Sequence, residues 1–249
     1  AQTGPGGVGK TDGTSDLKYW IDANNGITGS SPITAWTDLS GNSITNTING
    51  DPALTTNSLN GYDVITFDGT GDKVTTNLSI DADTYPDLTV IALYVPRVDY
   101  AGGLWGEDNG GWDRFSLDDS FSAFQSVMSD GILGQPNIPN IFPTATPVIT
   151  TVIFQEDVTN GTTVYANSAL EHTFTSNHVS DANGSDVLRI GTIHGANNTY
   201  DFDGNIAEVI IYGTNINSAQ RIILDNYLAA KYGRSLASND IYDEDNVGN

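Results

Sequence analysis

The sequence has 249 residues, of which 38% are hydrophobic, and its 31 acidic residues against 9 basic ones give a formal net charge of −22. So acidic a surface repels phosphate backbones and anionic lipid headgroups, and we therefore expect no nucleic-acid partner. No apolar run reaches the ~18 residues that a membrane span needs, so membrane insertion is not expected either. The absence of Cys excludes disulfides and thiolate metal sites.

Turn residues and short β-type runs alternate along most of the chain. Residues 1–16 are rich in Gly, Thr and Asp and are predicted to form a flexible lead-in. From residue 17 onward, apolar and β-branched runs recur at intervals of about ten residues, which is typical of a sandwich or jelly roll. We predict an all-β, two-sheet antiparallel β-sandwich over residues 17–236. Its predicted strands are 17–22, 62–67, 73–78, 88–95, 114–117, 121–128, 149–154, 162–166, 171–175, 187–192 and 206–212.

Only residues 218–232 have a clear helical period. Asn217 or Ser218 can cap the start of this helix, and Gly233 can end it in the left-handed conformation. We expect the helix to pack across an edge or an end of a sheet. Its predicted apolar face consists of Ala219, Ile222, Ile223, Tyr227 and Ala230. Residues 237–249 are acidic and without pattern, and they are predicted to form a linker to other domains of a longer chain.

Four phrases carry a family resemblance: LKYWIDAN at 17–24, AWTDLSGN at 35–42, YDVITFDGTGDKV at 62–74, and the long stretch at 202–236. They resemble the laminin G-like, concanavalin A-like lectin/glucanase jelly-roll domains of large secreted bacterial surface proteins. The resemblance implies two antiparallel sheets, one of them concave, and an extracellular or cell-surface location. It also implies roles that range from glycan binding through adhesion to spacing.

Two groups of acidic residues form a candidate calcium site. Asp68 and Asp72 flank two glycines, and Asp203 and Glu208 lie before and within the last predicted strand together with Asp201. Carboxylate and turned-in carbonyl oxygens are the ligands that Ca²⁺ prefers. In sandwiches of the family that the sequence resembles, the first and last strands are neighbours, so the two groups are expected to share an ion. The alternative is a hairpin turn with solvated Asp side chains.

The segment 104–114, LWGEDNGGWDR, is the strongest candidate for a glycan site. Trp105 and Trp112 offer flat faces to sugar C–H groups, and neighbouring polar side chains offer directional hydrogen bonds. The alternative is that the tryptophans pack into the core while the polar residues form a turn; Trp20 and Trp36 are expected to be core residues. The remaining candidate ligand-binding residues are Glu107, Asp108, Asn109, Asp113 and Arg114, with Tyr100 and His194 flanking the same surface.

Signs of an active site are lacking in the sequence. The Glu-x-Asp-x-x-Glu strand, which the resemblance to glucanases would bring, does not occur, nor does a Gly-x-Ser-x-Gly elbow or a paired His motif. We therefore predict a non-catalytic extracellular carbohydrate-binding or adhesion module, with a glycan or extracellular polysaccharide as partner and Ca²⁺ as a stabilising ion. The alternatives are a structural or adhesive spacer without a small ligand, and a peptide-binding module.

Overall fold

Short strands are the predominant regular structure of the computed structural model, which describes residues 2–108, 114–119, 127–130, 137–175, 186–195 and 200–241. These residues also form a 3₁₀ turn at Pro5–Gly7 and one α-helix, α1, at Ser218–Tyr232. The strands are β1 (Leu17–Asp22), β2 (Ile27–Gly29), β3 (Ile33–Trp36), β4 (Asn46–Asn49), β5 (Ala53–Leu59), β6 (Tyr62–Asp68), β7 (Lys73–Thr76), β8 (Asp87–Pro96), β9 (Gly102–Gly106), β10 (Arg114–Asp118), β11 (Val127–Asp130), β12 (Val148–Gln155), β13 (Thr163–Ala166), β14 (Ala169–Thr173), β15 (Arg189–Ile190) and β16 (Asp203–Tyr212).

Two antiparallel sheets stack to form the sandwich. The larger sheet has the order β14-β13-β12-β8-β16-β6-β5, and β1 pairs with the second half of β16. The smaller sheet has the order β11-β10-β9-β15-β7-β4, and β2 and β3 form a separate pair. Side chains from both sheets meet in one large core. The predicted all-β sandwich with a C-terminal helix is confirmed. Residues 121–126 of the predicted strand at 121–128 lie outside the described residues.

The two central strands of the larger sheet are buried on both faces. Along β8, Val90 and Tyr94 face the core between the sheets, whereas Ile91 and Leu93 belong to a second core beneath α1. Strand β16 behaves in the same way, but a register shift between Ile206 and Glu208 interrupts its alternation. The near-continuous apolar sequence of β8 is therefore the consequence of its two covered faces.

Helix α1 begins and ends where its sequence predicts. Asn217 and Gln220 form a reciprocal capping box, and Gly233 adopts the left-handed conformation with φ 63°. The helix covers the outer face of the larger sheet, so the prediction that it packs at an edge or end was wrong. Among the described residues, no helix combines the length and apolar character that a membrane span requires.

The predicted apolar face of α1 is also wrong. Ala219 is exposed, and the other four residues of that face are only half-buried. The buried stripe instead contains Leu224 and Leu228 together with Arg221 and Asp225. The two charged side chains pair at 2.7 Å, and Asp225 also accepts a hydrogen bond from Thr151 on β12 at 3.1 Å. Pairing makes burial of these charges tolerable, which periodicity alone does not reveal.

Residues 2–16 are packed against the body of the domain rather than forming a flexible lead-in. Val8 is buried in the core beneath α1, and its carbonyl accepts a hydrogen bond from the Tyr212 hydroxyl at 3.1 Å. A bridge between Thr3 and Lys10 closes the segment on itself. At the other end, the Ala237 amide donates to the Asn167 carbonyl. The first residues of the predicted linker therefore lie against the sandwich, and residues 242–249 are outside the described residues.

A buried charge cluster holds the last turn of α1 to the sheet. Lys231 Nζ lies 2.8 Å from Asp22 Oδ2 on β1 and 2.9 Å from Glu208 Oε2 on β16. Trp20 Nε1 donates to Glu208 at 2.7 Å, and the Tyr232 hydroxyl donates to the same carboxylate at 3.2 Å. Burial raises the pKa of Glu208, and the nearby Lys231 charge opposes this effect.

We predict that Lys231→Met lowers the free energy of unfolding by about 3 kcal/mol, because it leaves two buried carboxylates without their cation. Urea unfolding near neutral pH measures the loss. Lys73→Met, at a half-buried position on β7, is the matched control and is expected to change stability by less than about 0.5 kcal/mol. Equal effects of the two substitutions would contradict the role given to the cluster.

Candidate functional site

An open, acidic groove lies at one end of the sandwich, and we call it the rim groove. It forms where the β6–β7 turn meets the segment between β8 and β9, the end of β10 and the start of β16. Its volume is ≈ 290 Å³. Five carboxylates and two tyrosine rings dominate its walls. The lining residues are Asp68, Gly69, Val98, Tyr100, Gly102, Asp118, Asp119, Tyr200, Asp201 and Asp203.

Asp201 stands out in this groove because half of its carboxylate is unsatisfied. Only 6% of the residue is exposed. Its Oδ2 atom accepts a hydrogen bond from the Gly71 amide at 2.6 Å, whereas the buried Oδ1 atom has no hydrogen-bond partner among the residues that the structure describes. A buried carboxylate oxygen without a partner carries a desolvation cost that a bound cation or donor would remove.

The predicted pair Asp68 and Asp72 does lie together, and the structure adds Asp51. One carboxylate oxygen from each of the three residues lies within 4.8 Å of the others. Asp72 is buried, however, and both of its oxygens accept backbone hydrogen bonds, from the Asp51 amide at 2.7 Å and the Asp68 amide at 3.1 Å. Asp72 therefore shapes the turn as the alternative interpretation expected, while Asp68 faces the rim groove.

The other two predicted metal ligands separate. Asp203 pairs with Asp68 in the β6–β16 register and lines the rim groove, where Arg97 contacts it at 2.6 Å. Glu208 belongs to the charge cluster beneath α1, so its assignment to a shared calcium site is corrected. The register shift after Ile206 turns Glu208 toward the helix and away from the rim.

Trp105 does not offer a face to a ligand in this structure. It lies on β9, between β10 and β15, with 0% exposure, and its ring meets the Phe154 ring edge-on at 6.4 Å. The expectation of a stacking platform is therefore corrected for Trp105, and the alternative of core packing holds. Trp36 is a core residue as expected, with 1% exposure, whereas Trp20 is only half-buried.

Glu107 and Arg114 serve the scaffold and not a ligand. Glu107 is 1% exposed and accepts hydrogen bonds from the Ile80 amide, from Ser79 Oγ at 2.8 Å and from the Asp186 amide at 3.0 Å. Arg114 donates to the Ile80, Tyr85 and Pro86 carbonyls at 3.0, 2.6 and 3.1 Å. Together they fix the loop that precedes β8, so their assignment to a glycan site is corrected.

Three of the remaining candidates lie close to the rim. Tyr100 is 47% exposed and lines the groove. Asp108 and His194 form a short parallel bridge. Burial raises the pKa of the Tyr200 hydroxyl, and the nearby carboxylates of Asp119 and Asp108 raise it further. Asn109, Trp112 and Asp113 lie outside the described residues.

Sequence reasoning missed three residues of the rim groove. Asp118 is the last residue of the buried strand β10 and Asp119 follows it, and Tyr200 directly precedes the acidic stretch at 201–203. An acidic pair that follows a buried strand was the available signal, since a strand end in a sandwich opens onto the rim loops.

Solved structures share this fold, although the sequence matches no protein-family profile and no curated protein significantly. Domain 4 of AbnA, an extracellular arabinanase from Geobacillus stearothermophilus in complex with arabinotriose, has 15% identity and a TM-score of 0.57 over 84% of this chain and 97% of its own. Trypanosoma rangeli sialidase in complex with 2,3-difluorosialic acid has 15% identity and a TM-score of 0.59 over 92% of this chain. The binding domain of Paraclostridial mosquitocidal protein 1 has 15% identity and a TM-score of 0.53 over 84%.

The extent of the match differs among these structures. The matched region is 35% of the sialidase chain and 52% of the mosquitocidal binding domain. At this level of identity the comparisons establish a shared β-sandwich fold.

We predict that Glu107→Gln changes how stability depends on pH. Burial raises the pKa of Glu107 to about 7, above its ordinary value of 4.5. The stability linked to this group is therefore fully present below pH 4.5 and is lost as pH rises through about 7, a loss on the order of 2 kcal/mol. The substitution should be most harmful at low pH and nearly harmless at about pH 8.

Urea unfolding of both proteins between about pH 4.5 and pH 8 tests this expectation. Glu171→Gln, on the outer strand β14, is the matched control for the removal of a glutamate carboxyl. A constant difference between Glu107→Gln and the parent protein would show that the carboxyl does not titrate in this range.

Proposed function

We propose that this chain is a non-catalytic, extracellular carbohydrate-binding module of the laminin G-like kind, with a calcium ion stabilising its binding site. The rim groove carries the proposal, because two tyrosine rings line it together with a buried carboxylate oxygen that has no partner within the described part of the chain. Aromatic faces with a few convergent polar groups are the usual composition of a sugar site. A sugar-bound structure of the same fold, the arabinanase domain, supports the same class of ligand.

The composition of the rim groove fits calcium. The ion takes about six to eight oxygen ligands and favours carboxylates together with backbone carbonyls and waters. Asp68 and Asp201 would hold it from the β6–β7 turn and from the segment before β16. Asp118 and Asp119 would supply charge from the end of β10, and the remaining positions would be open to sugar hydroxyls.

The non-catalytic assignment is supported by the sequence, which lacks the Glu-x-Asp-x-x-Glu run that a resemblance to glucanases would bring, and by the burial of two glutamates. Glycoside cleavage needs two carboxyl groups on opposite sides of the scissile bond, both in contact with the substrate. Glu107 and Glu208 are 1% and 0% exposed and are held by protein donors. Neither therefore reaches a sugar bound at the surface.

Calcium binding is tested first, by calorimetry after treatment of the protein with a chelator. We expect a dissociation constant of about 0.1–1 mM, as in extracellular calcium modules. Asp201→Asn keeps an acceptor for the Gly71 amide but removes the charge, and it should weaken binding at least tenfold. Asp157→Asn, in the β12–β13 turn, removes the same charge outside the groove and should bind like the parent protein.

Sugar binding is tested on a glycan array with added Ca²⁺ and again with chelator. Tyr100 has φ 65°, and Asn tolerates this conformation, so Tyr100→Asn removes the ring without straining the backbone. We expect calcium-dependent retention of one glycan class that Tyr100→Asn abolishes. The proposal is wrong if no glycan is retained with calcium, or if neither chelator nor Tyr100→Asn changes the retention. Either result would favour the alternative of a spacer domain without a small ligand.

A further inference from the structure

A second cavity lies on the outer face of the larger sheet, beside the C-terminal half of α1, and we call it the helix-side pocket. Its volume is ≈ 560 Å³. Its walls come from β1, from the β5–β6 turn with the first residue of β6, and from α1. Three aromatic residues, Trp20, Tyr62 and Tyr227, line it together with Asn25, Asn60 and Lys231.

The aromatic walls of this pocket are held in fixed positions. Trp20 Nε1 donates to Glu208 Oε1 at 2.7 Å, and the Tyr227 hydroxyl donates to the same atom at 3.1 Å. Tyr62 is 39% exposed and packs edge-on against the Tyr232 ring at 5.5 Å. Rings that are partly exposed and already ordered lose little conformational entropy when a ligand stacks on them.

Two asparagine side chains offer acceptor oxygens to the pocket. Asn25 donates its amide group to Asp22 Oδ2 at 2.6 Å, and Asn60 donates its amide group to the Lys231 carbonyl at 3.1 Å. Each bond uses one of the two N–H groups of its amide and fixes the orientation of the side chain. The Oδ1 atoms of both asparagines accept no hydrogen bond within the part of the chain that the structure describes, so they can accept hydroxyl protons from a ligand.

The charge of the pocket excludes ionic ligands. Lys231 Nζ donates to Asp22, to Glu208 and to the Tyr227 hydroxyl at 3.2 Å, which uses its three protons. It also lies 5.0–5.6 Å from the centroids of three tyrosine rings, so the place that an external cation would take is already filled. With two carboxylates against one ammonium group, the cluster also repels anions.

From these contacts we infer that the helix-side pocket is a separate binding site for a neutral saccharide unit. The aromatic rings contact the C–H faces of the sugar, and the two asparagine oxygens accept its hydroxyl protons. The volume suits a mono- or disaccharide end, since ligand pockets usually span about 300–1,000 Å³. The inference does not depend on the rim groove, because the pocket contains no cation site and its binding is independent of calcium.

The test uses a panel of neutral di- and trisaccharides of glucose, mannose, galactose and arabinose, with sialyllactose as the anionic probe. Binding to the whole chain is followed by ligand-observed NMR at millimolar concentration, with chelator present to silence the rim groove. We expect at least one neutral saccharide to bind and sialyllactose not to bind. Absence of binding by every neutral saccharide, or preference for sialyllactose, overturns the inference.

Two variants locate the binding. Ala230→Arg fills the pocket without removing any hydrogen-bond partner, and Ala219→Arg places the same side chain on the exposed first turn of the same helix. We expect Ala230→Arg to weaken binding at least tenfold and Ala219→Arg to leave it unchanged. Tyr62→Ala is the second variant and should also weaken binding. It tests the pocket even if the Ala230→Arg protein proves unstable.

Binding that survives both Ala230→Arg and Tyr62→Ala places the sugar elsewhere and overturns the inference. Tyr100→Asn, measured in the same assay, should have no effect. Binding that appears only when Ca²⁺ replaces the chelator, and that responds only to Tyr100→Asn, would support the rim groove and reject the helix-side pocket. The two proposals can therefore fail independently.

Discussion

The larger sheet is covered on both faces, and this constraint determines where polar side chains can lie. The smaller sheet covers one face and α1 covers the other, so every side chain of the central part of β8 and β16 is removed from water. A charged residue in that region is tolerated only with a partner. The cluster of Asp22, Glu208 and Lys231 meets this requirement, and in doing so it connects β1, β16 and the last turn of the helix.

Both cavities occur where this double cover ends. At the sandwich end, β6, β10 and β16 give way to turns, and acidic side chains replace apolar ones. On the outer face, α1 stops at Gly233 while β1 and the β5–β6 turn continue beneath it, which leaves Trp20 and Tyr62 half-covered. Strands or the helix therefore form part of the walls of each cavity, and residues on such elements keep a binding geometry more precisely than residues on a free loop do.

Local sequence patterns were enough to predict the elements whose surroundings are the same along their length. The apolar run of β8 and the caps of α1 are read directly from neighbouring residues. Polar edge strands such as β4 and β5 were missed because their side chains face water and carry no hydrophobic alternation. Strand β9 was missed because its three glycines resemble a loop, and this error led to the misplacement of Trp105.

Site residues were harder to predict because their positions depend on long-range register. Glu208 faces the helix because β16 has a single extra residue after Ile206, and no local sequence pattern indicates this register shift. The buried pair of Arg221 and Asp225 likewise reversed the predicted face of α1, since periodicity counts charged residues as solvent-facing. Asp68 and Asp203 are neighbours as expected, through the pairing of β6 with β16, whereas the resemblance implied only that the first and last strands are neighbours.

The two cavities also differ in how they balance charge. In the rim groove, Arg97 pairs with Asp203, but Asp201 retains a buried oxygen to which no described residue donates. A carboxylate in that state favours any cation that can reach it, and salt screens such a buried interaction less than it screens the acidic surface as a whole. In the helix-side pocket, Lys231 supplies the cation from within the chain. The proposed rim site would therefore depend on calcium, because it must take positive charge from solution. The helix-side site would not depend on calcium, because Lys231 already supplies its positive charge.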